Sequence, residues 1–162
     1  MKTQERRGSS VIIISFLVSF MLLMMPLPDF MRLARPEWVA MVVIYWSMAL
    51  PQRVSVGYSW TAGLVVDVIR DSLLGQHALA LALVSFITIR LHQRLRVYPP
   101  GQQAATVFLI ILINFLIILW IRGIIGAAPS LWQILIPTFT TALVWPFVFI
   151  LMRYVRRQFQ VS

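Results

Sequence analysis

The chain has 162 residues and a net charge of +9, with 60% hydrophobic and only 12% charged residues, whereas a soluble domain carries about 25% charged residues. So few charges cannot cover a water-facing surface, and the basic residues punctuate apolar blocks rather than gathering on one face as a nucleic-acid-binding stripe requires. With no cysteine, neither a disulfide framework nor a thiolate metal site is possible.

The chain opens on Lys2, Arg6 and Arg7 and then runs apolar to Met25, the order of a secretory leader. Pro26-Leu27-Pro28-Asp29 offers no small-residue cleavage site and more apolar blocks follow, so this run is read as a retained first helix. About 20 residues cross a hydrocarbon core of roughly 30 Å. Apolar blocks at 10–27, 38–50, 54–69, 77–89, 104–121 and 131–152 predict six transmembrane helices. The second and fourth are short and are expected to lengthen, to 33–51 and down to Leu95. Alternation over 78–83 is read as helix, because a lone strand in lipid leaves its backbone unpaired. Pro137 is expected to open the last helix and Pro146 to bend it. Trp38, Trp46, Trp60, Trp120, Trp132 and Trp145 are expected mostly near span ends, as an aromatic belt.

Lys and Arg accumulate on the cytoplasmic side of short connections. With both ends inside, Lys2, Arg6, Arg7, Arg53, Arg90, Arg94, Arg96, Arg153, Arg156 and Arg157 fall in the cytoplasm, and Arg32, Arg35, Arg70 and Arg122 fall outside. The predicted fold is therefore all-α: one polytopic integral membrane domain over 1–162, a bundle of about six transmembrane helices, N-in and C-in, with short basic cytoplasmic tails at 1–9 and 153–162. The segment from Arg90 to Arg96 reads as topology and lipid attraction. No repeat relates the two halves, which weakens an inverted-repeat transporter.

Asp67 is the sharpest chemical feature, since an ionisable residue in a span is a functional candidate. The alternative is an interfacial pair with Arg70, Arg32 or Arg35. Ser59, Gly63 and Asp67 recur at i, i+4, i+8 and make one narrow helix face. Ala78, Ala82 and Ser85 make another, and Ser15 and Ser19 a third. Such faces serve internal packing or partner docking. His77 and His92 are placed on opposite membrane faces, roughly 30 Å apart, and cannot share a metal. Asp29, Glu37 and Asp71 show no metal-ligand spacing. Asn114 is expected to make an interhelical hydrogen bond. No nucleophile–base–orienter set is evident, so no catalysis and no cofactor are expected.

Arg35-Pro36-x-Trp38, Tyr45-Trp46, Pro51-x-Arg53-x-x-x-Gly57, Gly63-x-x-x-Asp67, Leu74-Gly75 and Trp145-Pro146-Phe147 with Leu151-Met152-Arg153 occur in an order that resembles the rod shape-determining protein MreD family in its proteobacterial form. That family often has glycine where Asp71 stands. The resemblance implies a non-enzymatic inner-membrane subunit of the cell-elongation machinery. It would bind the single-span scaffold MreC and, through it, MreB, the polymerase RodA and a transpeptidase penicillin-binding protein. Membrane lipid is the other implied partner, nucleic acid is not one, and a homo-oligomer is compatible. The alternative is a substrate-binding membrane component of a small-molecule transporter, to which the family's six-helix architecture is similar. An intramembrane enzyme is a more distant rival.

Overall fold

A computed structural model describes the backbone of residues 2–161 and the side chains of residues 8–161. The side chains of Lys2, Arg6 and Arg7 lie outside that range. Among the described residues the regular structure is helix alone: α1 (Lys2–Met24), α2 (Asp29–Arg32), α3 (Trp38–Ala49), α4 (Val56–Ile69), α5 (Gln76–Val97), α6 (Pro100–Ile124) and α7 (Leu131–Gln158). α2 is a single turn. The other six coincide with the six apolar blocks. α5, α6 and α7 are long and apolar enough to cross a membrane, whereas Gly8–Met24, α3 and α4 are shorter apolar helices. The fourth block lengthens as its flanks allow. Helix covers part of both predicted tails, since α1 runs from Lys2 and α7 continues to Gln158. Arg156 and Arg157 in the last turn of α7 complement the helix dipole there.

The second block does not lengthen to 33–51. α3 has 12 residues, about 18 Å of rise, and eleven of them are buried, from Val39 to Ala49. α1, α4, α5 and α7 all pack on it, so α3 is a central post walled by protein. A helix in that position is matched to its neighbours' side chains rather than to the thickness of lipid. The last carbonyls of α3 have no basic residue in their own turn; Arg96 of α5 supplies one, donating from Nε to the Met48 carbonyl at 2.9 Å and from Nη2 to the Ala49 carbonyl at 2.6 Å. Orphan carbonyls at a buried helix end need such donors.

The aromatic belt is only partly realised. Trp60, Trp120 and Trp132 are exposed on the outer surface, but Trp46 and Trp145 are wholly buried. Each indole N–H has a partner: Trp46 donates to Ser15 Oγ at 2.8 Å and Trp145 to Gln103 Oε1 at 3.0 Å. A buried indole is stable only with its N–H satisfied. Gln103 also donates to the Leu95 carbonyl at 2.9 Å, and so ties α5, α6 and α7 together.

Pro137 does not open the last helix. The chain turns helical at Leu131, with the Ser130 amide donating to Gln133 Oε1 at 2.9 Å, half of a capping box. Pro137 and Pro146 both lie inside α7. The interhelical hydrogen bond expected of Asn114 is not made by its Oδ1: the residue is buried at 1% exposure and that oxygen has no hydrogen-bond partner among the described residues. The two histidines lie on one helix, α5, 15 residues apart and therefore about 22 Å along its axis, less than the expected separation.

The helices alternate in direction, so their ends gather at two poles. At one pole a Cβ added to Gly8 would meet the Arg53 guanidinium and, at 3.3 Å, the Val161 side chain, so the early part of α1 and the residues after α7 lie close together there. At the other pole the ends of α1, α4 and α6 and the starts of α3, α5 and α7 surround one cavity.

Candidate functional site

The turn between α4 and α5 is built around Asp67. α4 ends in a Schellman arrangement, with the Ser72 amide donating to the Asp67 carbonyl at 3.0 Å and Asp71 at φ +48°. That position takes the left-handed conformation that terminates many helices and favours glycine. Asp71 holds a conformation that a Cβ makes costly. Asp71→Gly is therefore expected to raise the melting temperature in detergent by about 2–4 °C. An unchanged or lower value would show that the aspartate side chain compensates its own backbone.

The same residue's side chain then reaches forward to the start of α5. Asp67 Oδ2 accepts from the Gly75 amide at 2.8 Å and the Ala78 amide at 3.3 Å, and Oδ1 accepts from the His77 amide at 2.9 Å, Ser72 Oγ at 2.9 Å and His77 Nδ1 at 2.8 Å. Gly75, at φ +99°, brings the chain round so that these amides converge. The first amides of a helix have no intrahelical acceptor and its N-terminus attracts negative charge. Asp67, 1% exposed, is thus a cap for α5 supplied from the preceding helix, and not a partner of Arg70, Arg32 or Arg35.

Arg70 pairs instead with Glu37, Nη2 to Oε1 at 2.9 Å, and its Nη1 lies 3.2 Å from His77 Nε2. Because a guanidinium only donates, His77 Nε2 accepts and Nδ1 carries the proton given to Asp67. Ser72, His77 and Asp67 are the residue types of a nucleophilic triad, a grouping the sequence reading missed. Their geometry is different: Ser72 Oγ and Asp67 both lie on the Nδ1 side, Oγ at 3.2 Å, whereas a triad serine needs Nε2, here faced by Arg70. The set has the geometry of a structural knot. Among the described residues no three His, Asp or Glu side chains gather as a metal site.

The small-residue faces meet each other. A Cβ at Gly63 would fall 2.6 Å from both the Ala78 amide nitrogen and the His77 carbonyl oxygen, and closer still to Ala78 Cα. Ser59, Gly63 and Asp67 are buried, as is Ala78, with Ala82 half-buried one turn on. This α4 face is covered by α5, and a partner helix could reach Gly63 only by displacing it.

Beside the knot lies the cavity, of about 780 Å³. Arg32, Arg35, Arg70 and Arg122, all four arginines that the charge count set apart, line it, and Glu37 is the sole acid on its wall. Arg35 is anchored by two carbonyls at the end of α1, Leu23 and Met25, each at 2.5 Å. Of the other motif residues, Trp38, Tyr45, Trp46 and Trp145 are core or near-core side chains, Pro36 precedes α3, Pro51, Arg53 and Gly57 form the α3–α4 turn and the start of α4, and Pro146 lies within α7.

A family model described as rod shape-determining protein MreD matches residues 4–155. The chain belongs to the MreD family. The rod shape-determining protein MreD of Haemophilus influenzae is 35% identical over 143 residues, 88% of each chain. No solved structure matches. The MreD family is one of rod shape-determining membrane proteins, and cell shape is the process to which this chain contributes. The motif residues quoted from the sequence fall inside the matched span.

Proposed function

We propose that the chain is a non-enzymatic, six-span, N-in and C-in subunit of the bacterial inner membrane that binds the single-span scaffold MreC, and through it helps organise MreB, RodA and a transpeptidase during elongation. The observation that carries this reading is membership in the MreD family over nearly the whole chain. Its chemistry is compatible: the polar groups that looked catalytic are spent on capping α5 and on the Arg70–Glu37 pair.

Docking of a membrane helix requires an open apolar groove, since lipid tails are as apolar as leucine and association depends on close packing. Ser59, Gly63 and Asp67 offer none, because α5 covers them. A groove of about 560 Å³ runs between α1 and α7, lined by Ile14, Val18, Leu22, Val148, Leu151 and Val155. Ser15 and Ser19 also border it. This groove is the seat we assign to the scaffold helix.

Val18 is half exposed there, so Val18→Trp fills the groove without entering the core. The variant is expected to insert and accumulate normally, to lose at least tenfold of the MreC recovered by co-purification, and to round rod-shaped cells that depend on it. Full MreC recovery with normal rods would rule the groove out.

A further inference from the structure

The cavity beside Asp67 is left unexplained by helix docking. Its pole carries the fewer basic residues, and yet all four arginines of that pole line a single cavity, opposed by Glu37 alone. Scattered arginines at a membrane interface would point outward to water and headgroups; these converge. Their states differ in an instructive way. Arg70 is neutralised by Glu37, and Arg32 sits at the rim with Asp29 at 3.2 Å, both largely exposed. Arg35 is held rigidly by carbonyls, which leave its positive charge unbalanced, and its buried Nε has no acceptor. Arg122 is half-buried, and its guanidinium has no hydrogen-bond or ion-pair partner among the described residues.

The rest of the wall is apolar, with Leu23, Leu27, Ile69, Phe115 and Ile118 beside the charges. A volume of about 780 Å³ lies within the range of small-molecule sites and far exceeds what a lone phosphate fills. Guanidinium forks match phosphate oxygens in pairs, and apolar walls next to them suit hydrocarbon. We propose that this cavity binds a phosphate-bearing anionic amphiphile, its headgroup on the free guanidinium fork of Arg122 and beside the unbalanced charge of Arg35, and the start of its hydrocarbon against Leu27, Phe115 and Ile118. The site is independent of the α1–α7 groove, so this reading stands or falls apart from MreC binding.

The test uses the full chain in neutral detergent, with melting temperature read after adding dioleoylphosphatidylglycerol, dioleoylphosphatidylcholine or inorganic phosphate. Binding of the folded state raises stability by mass action. The phosphatidylglycerol arm is expected to give a rise on the order of 5 °C, and the other two none. Measured against its own lipid-free value, Arg122→Gln should lose the rise, while Arg153→Gln, at the other pole, should keep it. Arg122→Lys, which retains charge but not the fork, should need about tenfold more lipid for half the rise. It also serves as the test should Arg122→Gln not purify. An equal rise with phosphate alone would make the ligand a free anion and overturn the proposal. An equal rise with phosphatidylcholine, or a rise that survives Arg122→Gln, or wild-type lipid dependence in Arg122→Lys, would reduce it to a bulk lipid effect and overturn it too.

Discussion

Asp67→Ala is expected to leave little folded protein in the membrane. The carboxylate is fully buried and accepts from three backbone amides, a serine hydroxyl and the His77 ring. Its removal orphans the start of α5 and leaves the chain His77, Arg70, Glu37 without its terminal acceptor. Breaking a buried, hydrogen-bonded partner costs roughly 3–5 kcal/mol, a large part of the 5–15 kcal/mol by which ordinary domains are stable. Asp67→Asn should be milder but still destabilising, because its NH₂ group must face donors where an acceptor is required. Melting temperature and the monodisperse fraction in detergent measure both. If Asp67→Ala melted like the parent while failing to support rod shape, the carboxylate would be a functional group and its capping role incidental. Loss of rod shape in these variants is therefore not by itself a sign of catalysis or partner contact; the stability measurement has to accompany it.

Gly63→Leu carries the second large effect. The α4 backbone approaches α5 so closely at Gly63 that even a Cβ would overlap the Ala78 backbone, and backbone atoms cannot swing aside as a side-chain tip can. Overpacking commonly costs about 1–3 kcal/mol; with two helix backbones in contact the cost should be at or above the top of that range. The expected result is a melting temperature lowered by roughly 10 °C for Gly63→Leu and a smaller fall for Gly63→Ala. Co-purification of MreC should decline only in proportion to the folded protein that remains. Undiminished stability with selective loss of MreC would instead place the partner on this face and refute the covered-face assignment.

Much of the architecture was legible in the chain itself. Six apolar blocks became six helices because hydropathy is a local property: an apolar run withdrawn from water has to satisfy its backbone groups, and a helix does so within its own segment. Each of the four arginines that the charge count set apart lines the same cavity. The small residues Ser59 and Gly63 announced a close helix contact, and the motif order pointed to the family.

What the sequence could not decide was which polar groups would meet. Asp67 was a lone acid in a span until the turn through Asp71 and Gly75 folded α5 back onto it; nothing local tells an N-cap from a proton carrier when the amides it serves lie eight to eleven residues away. The short length of α3 was likewise a tertiary matter, since only its neighbours could free it from matching the thickness of lipid and lend it Arg96 as a cap. Trp46 and Trp145 were drawn from the interface into the core because Ser15 and Gln103, on other helices, were there to take their N–H groups. Helix formation is written into each segment by its own apolar run, whereas polar partnership depends on which ends the bundle brings to the same pole.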